Sequence, residues 1–130
     1  MIFDSTTRWF FLSLDGRISR EAYWLGLMFL WSIFGLIITL IVNVPAMKTV
    51  AALALFPYMI FMVWAFATLL VKRAHDLGMS GFVAFLVVVP VLDLAVIVFL
   101  GAAAGDPRPN RYGPRADAPP DGGGGSSRGR

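Results

Sequence analysis

Three long apolar stretches alternate with short polar segments along the chain. Residues 24–44 and 50–71 contain no charged side chain, and residues 82–104 are interrupted only by a proline and an aspartate. A helix rises 1.5 Å per residue, so about 20 apolar residues cross the roughly 30 Å hydrocarbon core of a bilayer. The pattern therefore predicts an all-α membrane protein with helices at about residues 24–44, 50–77 and 82–104.

The segments around these stretches predict the rest of the organisation. Only residues 45–49 separate the first two stretches, which predicts an antiparallel transmembrane hairpin. Residues 1–23 contain an aromatic run too brief to span a membrane, and we interpret them as an N-terminal interfacial segment. Residues 105–130 are rich in Gly and Pro, a composition that builds no packed core and predicts a flexible, disordered C-terminal tail.

Local signals mark the helix ends and one helix face. Ser19 is the expected N-cap of the first helix, Gly78 the residue that follows the second, and Ser80 the N-cap of the third. On the first helix, three small residues recur at i, i+3 and i+7: Ser32, Gly35 and Thr39. Such a face lets a backbone approach closely, so we expect a neighbouring helix to pack against it.

Composition supports a membrane location and excludes several functions. Hydrophobic residues make up 58% of the chain and charged residues 15%, whereas a soluble domain has about a quarter of its residues charged. With no cysteine, one histidine and no clustered carboxylates, no metal site or cofactor is predicted. The net charge of +3 is spread over loops and tail without a continuous basic stripe, so no nucleic-acid partner is expected.

Three motifs border the apolar stretches. They are GRISREAYW at residues 16–24, KRAHDLGMSG at 72–81 and NRYGP at 110–114. In this order they resemble domain of unknown function 805, a bacterial inner-membrane family with YhaH-like members, over about residues 11–114. The resemblance implies a small multi-pass protein of the bacterial cytoplasmic membrane without an assigned activity. It does not extend to Asp93, where the family usually has a small or apolar residue.

The second motif concentrates charge where the second helix leaves the apolar band. If that helix continues through the motif, Asp76 lies at i+4 from Lys72 and at i+3 from Arg73 and can pair with either. His75 titrates near neutral pH, but adjacent helical residues diverge by about 100°, so His75 and Asp76 cannot orient each other as a catalytic dyad. We therefore expect no enzymatic activity.

Two functional hypotheses follow for the polar residues. In the first, a non-enzymatic scaffold or accessory protein contacts membrane lipids or a partner through Arg17, Arg20, Arg73, His75, Asp76, Asn110, Arg111 and Tyr112. In the second, Asp93 binds a proton or cation in an oligomeric transporter or channel subunit. An acid at the bilayer centre costs about 2.5–3.5 kcal/mol. Each site also has a purely structural interpretation. The charged motif would form ion pairs that fix the depth of the helix, and Pro90 and Asp93 would mark a bend.

The third stretch has two possible topologies. With the N-terminus in the cytoplasm, a kinked crossing leaves five basic residues inside and four near the membrane outside, a weak bias. A re-entrant hairpin that turns at residues 90–93 instead places ten of the eleven basic residues inside. A turn at membrane depth must be covered by protein, however, which slightly favours the kinked crossing.

Overall fold

The computed structural model describes residues 5–117, and all regular structure among them is helical. The α-helices are α1 (Ser5–Leu12), α2 (Arg20–Asn43), α3 (Lys48–Asp76) and α4 (Leu92–Ala102), and 3-10 helices occupy Pro45–Met47 and Gly81–Val88. The described residues form no β-strand. The all-helical class and the two long apolar helices are therefore confirmed, and α3 continues through the charged motif as predicted.

The helices end at the predicted caps. The Ser19 hydroxyl accepts a hydrogen bond from Ala22 N at 3.2 Å at the start of α2. Gly78, with φ +73°, follows the end of α3 and lets the Met79 amide return to the Ala74 carbonyl at 2.9 Å. Ser80 caps the second 3-10 helix. These ends fix where α3 stops and where the chain turns back.

Helices α2 and α3 are joined by the short 3-10 turn and pack antiparallel. The Tyr58 hydroxyl of α3 donates to the Leu30 carbonyl of α2 at 2.5 Å. Nearer the other end of the pair, a Cβ placed on Gly26 would lie 2.9 Å from Leu69 Cδ1. Gly26 is thus the residue that allows the two helices to approach.

The predicted small-residue face of α2 lies on the outside. The hydroxyls of Ser32 and Thr39 donate to carbonyls of their own helix at 2.6 and 2.7 Å, and a Cβ on Gly35 would have no atom within 4 Å. The expectation that a neighbouring helix packs against this face is wrong within residues 5–117. The large side chains of Leu27 and Leu30 bury more apolar area and take the interface instead.

Helix α1, within the predicted interfacial segment, packs against α3. The last carbonyls of a helix lack partners within it. Three α3 side chains spaced four residues apart supply those partners. Trp64 Nε1 donates to the Leu12 carbonyl at 3.0 Å, Thr68 Oγ1 to Phe11 at 3.1 Å, and Lys72 Nζ to Phe10 at 2.7 Å and to Trp9. One stripe of α3 therefore anchors the end of α1.

The third apolar stretch doubles back on itself. A Cβ on Gly81, where the 3-10 helix begins, would lie 3.3 Å from His75 Nε2 near the end of α3. At the other end of the stretch, Trp24 Nε1 at the start of α2 donates to the Gly101 carbonyl at 3.0 Å. Both ends thus lie at the same end of the α2–α3 pair. Residues 82–104 therefore form a hairpin of two short arms and not one continuous helix.

The reversal takes place in a tight turn at residues 89–92. Leu92 N donates to the Val89 carbonyl at 3.1 Å, and Pro90 takes the second position of the turn. Val91 takes the third position with φ 79°, a value that usually selects glycine. Eight residues of 3-10 helix and eleven of α-helix each give a rise of about 16 Å, so the two arms match in length.

Residues 105–117, the first part of the predicted tail, fold over the end of α3. Asp106 N donates to the Asp76 carbonyl and Asp117 N to the Arg17 carbonyl, both at 2.8 Å. Polar groups of distant segments hold this part of the chain, which its own composition does not reveal. The remainder of the predicted tail, residues 118–130, lies outside the described residues.

Candidate functional site

Asp76 lies between two arginines at the end of α3. Its Oδ1 accepts from Arg17 Nε at 3.0 Å, and its Oδ2 accepts from Arg73 Nη1. Arg17 is 2% exposed, Arg73 0% and Asp76 3%. The pair of Arg73 with Asp76 is one of the two that helix spacing predicted. Arg17 lies 59 residues away in sequence, and no local spacing could reveal it.

Backbone carbonyls accept further hydrogen bonds from the two guanidinium groups of this Arg–Asp–Arg cluster. Arg17 donates to the carbonyls of Arg108 at 2.8 Å, Gly113 at 3.2 Å and Asp106. Arg73 donates to those of Leu100 at 2.6 Å, Ile18 at 3.3 Å and Ala103. Since these carbonyls belong to the loop before α2, the end of α4 and the segment after it, the cluster ties all three to α3.

Gly105 closes the cluster from the C-terminal side. A Cβ on this residue would collide with the Asp76 carboxylate and would lie 3.3 Å from Arg73 Nη1. The chain can pass over the ion pairs here only because the residue has no side chain. The sequence prediction did not identify Gly105, because a glycine in a Gly-rich segment carries no distinguishing signal.

Lys72 does not pair with Asp76, the other partner that helix spacing allowed. Its ammonium group lies against α1, where it donates to two carbonyls and sits 4.3 Å from the Trp9 ring centroid. Lys72 is therefore a buried cation that neutralises the negative end of the α1 dipole and contacts an aromatic face.

His75 joins the first motif to the third. Its ring stacks on Tyr112 with centroids 3.8 Å apart and planes 4° apart, and its Nδ1 lies 3.2 Å from the Gly16 carbonyl. Asn110 Nδ2 donates to the His75 carbonyl at 2.9 Å. Because the Asp76 carboxylate pairs with Arg17 and Arg73, His75 and Asp76 do not form a pair, as the divergence of adjacent helical residues predicts.

All three sequence motifs thus meet at one end of the molecule, in a single polar cluster. A family model described as protein of unknown function (DUF805) matches residues 11–114, which include all three motifs. The chain belongs to the DUF805 family. No curated protein and no solved structure matches it. Since the family description assigns no activity, the function has to be inferred from the site.

The four arginines among the predicted contact residues of this DUF805 protein fall into two groups. Arg17 and Arg73 were expected to reach lipid headgroups or a partner, but the structure buries their guanidinium groups among carbonyls. Arg20 and Arg111 are exposed. Arg20 makes one long hydrogen bond, 3.5 Å to the Ala102 carbonyl, and lines an open cleft of about 520 Å³. Exposed cations are therefore available beside the cluster.

Asp93 lies apart from the other candidates, in the first turn of α4 next to the tight turn. It is partly buried, and its Oδ1 accepts from Leu94 N at 2.7 Å. Within residues 5–117 its carboxylate takes part in no ion pair. In the same part of the chain, no three His, Asp or Glu side chains are grouped closely enough to hold a metal ion.

Proposed function

We propose that this DUF805 protein is a small integral protein of the bacterial cytoplasmic membrane. It acts without catalysis, as a scaffold or accessory protein that holds an arginine-rich face against anionic headgroups. The observation that carries the proposal is the distribution of charge. Of the nine Lys and Arg residues among residues 5–117, only Lys48 lies at the end where α2 meets α3. The other eight lie at the end where the motifs meet.

The burial of the long helices supports the membrane location. The segments Arg20–Asn43 and Pro45–Asp76 are long and apolar enough to span a bilayer, and only 17% of each apolar window is buried within the protein. The core helix of a soluble protein would be mostly buried, so the exposed apolar surface of these helices fits lipid as the solvent. The positive-inside rule then places the motif end, and with it the N-terminus, in the cytoplasm.

The hairpin formed by the 3-10 helix and α4 fits the same orientation. Its arms of about 16 Å reach about half of a 30 Å hydrocarbon core, so it enters from the motif face and returns to it. The chain then crosses the membrane twice, and residues 105–117 end on the cytoplasmic side.

The buried cluster and the exposed arginines have different roles in this proposal. Arg17, Arg73 and Asp76 have their hydrogen-bonding groups occupied, so they hold the platform together. The exposed cations around the cluster face the headgroups; they are Arg8, Arg20, Arg108, Arg111 and Arg115. Three exposed acids at the same end, Asp15, Glu21 and Asp117, leave a positive excess.

The test compares lipid retained by purified variants in nanodiscs of mixed phosphatidylglycerol and phosphatidylcholine. Each basic residue near an anionic surface contributes about 1 kcal/mol, so Arg20→Gln with Arg111→Gln should lower phosphatidylglycerol enrichment around the protein by up to roughly thirtyfold. Lys48→Gln, an exposed cation at the opposite end, is the matched control and should leave enrichment unchanged. Equal enrichment in both variants would refute the headgroup contact.

The proposed topology is tested separately by single-cysteine labelling in the cysteine-free chain. Cysteines at Met79 and Ala116 should react with an impermeant maleimide from the cytoplasmic side, and a cysteine at Thr49 only from the other side. Labelling of Thr49 and Met79 from the same side would exclude the two crossings. Labelling of Met79 and Ala116 from opposite sides would restore the single crossing of the third stretch.

A second function remains a proposal because of Asp93. A partly buried acid about halfway into the membrane, without an ion pair in residues 5–117, has the chemistry to take up a proton or cation. Two crossings and one hairpin enclose no pathway, so conduction requires an oligomer. Flux in proteoliposomes should then collapse in Asp93→Asn. Flux no greater than in empty liposomes would remove this function.

A further inference from the structure

Within residues 5–117, no part of the protein covers the tip of the hairpin. Val91 is 86% exposed, and the adjoining first turn of α4 holds Asp93, which is only partly buried. Given the membrane location under Proposed function, on which this inference rests, the tip lies in hydrocarbon. Irregular backbone is tolerated at that depth only where protein covers it, and intramembrane acids almost always face protein or an aqueous cavity.

The outer face of α2 offers a matching surface at the same depth. Trp24 and Gly101 are level, because the indole of one donates to the carbonyl of the other. Ser32 lies eight residues below Trp24 on α2, and Asp93 lies eight residues below Gly101 on α4, so both are about 12 Å below that level. Around Ser32, the exposed face contains Gly35, where an added Cβ would have no atom within 4 Å.

We propose that a second copy of this chain covers the tip, with Asp93 and the turn of one protomer packed against the Ser32, Gly35 and Thr39 face of the next. Every copy is inserted in the same orientation, so the two surfaces lie at the same depth in all copies. Gly35 lets the turn approach the α2 backbone, and the hydroxyl of Ser32, at the depth of Asp93, provides a hydrogen-bonding partner for the carboxyl group.

The two surfaces lie on different elements, and Leu27 and Leu30 hold the opposite side of α2 against the rest of the protomer. The contact is therefore head-to-tail, not a symmetric pairing of one patch with itself. Such a contact generates a ring or a longer chain of protomers, depending on the rotation between neighbours. A ring of protomers in which Asp93 is covered would also be the oligomer that transport of a proton or cation requires.

Crosslinking in proteoliposomes tests the contact. Protein with Ser32→Cys is mixed with protein carrying Leu94→Cys, the exposed neighbour of Asp93, and treated with a short membrane-permeable bis-maleimide. The control replaces Ser32→Cys by Ile60→Cys, an exposed α3 position two residues from Tyr58, which contacts α2 near this depth. We expect heterodimers for the first mixture and at most background for the control. Equal yields, or none with Ser32→Cys, would overturn the proposal.

A second measurement does not depend on introduced cysteines near the contact. Förster transfer between protomers labelled at Ala116 is followed as lipid is added, which gives an apparent dissociation constant. Asp93→Leu removes a polar group from a surface that lipid can solvate, so the protomer should still fold while association weakens about tenfold. Gly35→Leu should weaken it similarly, whereas Leu53→Ala, on an exposed part of α3, should not. Unchanged association in both contact variants would contradict the proposal.

Failure of this inference is distinguishable from failure of the membrane location. If the labelling pattern at Thr49, Met79 and Ala116 shows two crossings while no crosslink forms, only the oligomer is wrong. If Leu94→Cys crosslinks to a different membrane protein in native membranes and not to Ser32→Cys, the second copy is also excluded. If the labelling pattern itself fails, the depth match between Asp93 and Ser32 has no basis.

Discussion

Replacing Asp76 by asparagine removes the one negative charge from the Arg–Asp–Arg cluster with little change of shape. Arg17 and Arg73 then remain buried and face an amide that neutralises neither of them. Breaking a buried ion pair by removing one partner costs about 3–5 kcal/mol, because the other charge is left uncompensated. Here two charges are left, but six carbonyl contacts remain, so we expect a cost of about 4 kcal/mol.

The cost should appear as local opening of residues 105–117, since Arg17, which Asp76 holds in place, binds this segment through the carbonyls of Asp106, Arg108 and Gly113. A change of 1.4 kcal/mol corresponds to a tenfold change in an equilibrium constant, so about 4 kcal/mol raises the open population roughly 10³-fold. Trypsin cleavage after Arg111 and Arg115 follows this population when the segment closes faster than it is cut.

The assay is trypsin cleavage of protein in proteoliposomes, with the rate at these two sites measured by mass spectrometry. Glu21→Gln removes an exposed acid at the same end that takes part in no ion pair within residues 5–117, and is the matched control. If Asp76→Asn is cut no faster than Glu21→Gln, the cluster does not hold the segment.

Three further predictions concern the elements around the cluster. Lys72→Met removes the donor to the Phe10 carbonyl and one of two donors to the Trp9 carbonyl, so it should destabilise the docking of α1 by about 2 kcal/mol, seen as faster hydrogen exchange in α1 only; protection equal to wild type would contradict it. Gly105→Ala places a methyl group against Asp76 and should cost about 1–3 kcal/mol in denaturation by dodecyl sulfate; an unchanged midpoint would contradict the close approach. Glycine adopts a φ of 79° without steric cost, so Val91→Gly should stabilise the protein by about 1 kcal/mol and raise its midpoint in dodecyl sulfate. A lower midpoint would show that Val91 is not strained.

Local patterns identified the parts of the fold that local physics determines. The lengths of the apolar stretches gave α2 and α3, and Ser19, Gly78 and Ser80 mark helix ends because capping depends on residues within one turn. The ion pair of Arg73 with Asp76 follows from helix geometry alone. In each case the partners are two to five residues apart, so a single sequence contains the necessary information.

The hairpin at residues 82–104 shows where local sequence patterns are insufficient to predict the fold. Its 23-residue stretch has the length of a span, and only Pro90 and Asp93 distinguish it from one. The distribution of basic residues indicated re-entry, while the need to cover a turn opposed it. The charge distribution agrees with the hairpin that the chain forms. The need for cover keeps its force for a turn at membrane depth, because Val91 in this turn is 86% exposed.

The role of Arg17 could not be derived from spacing either. An arginine beside a membrane-spanning helix ordinarily suggests a headgroup contact, because most such side chains reach water. Its burial depends on Asp76, which lies 59 residues later, and on carbonyls about 90 residues later. Only the order of the three motifs pointed to a shared location, and it did not say which side chains would be inside.

The charged residues of the DUF805 motifs differ in role from Asp93, which lies outside the motifs. The motifs contribute Arg17, Arg73, Asp76 and His75 to contacts that close the fold, so substitutions there should alter stability whatever the function is. Asp93 lies within the family match but outside the motifs, and it stabilises nothing through an ion pair in residues 5–117. An unpaired acid at this depth is a net cost to the protomer. A substitution of Asp93 should therefore leave the stability of the protomer unchanged or improved. If such a substitution still alters activity or assembly, Asp93 is a functional residue and not a structural one.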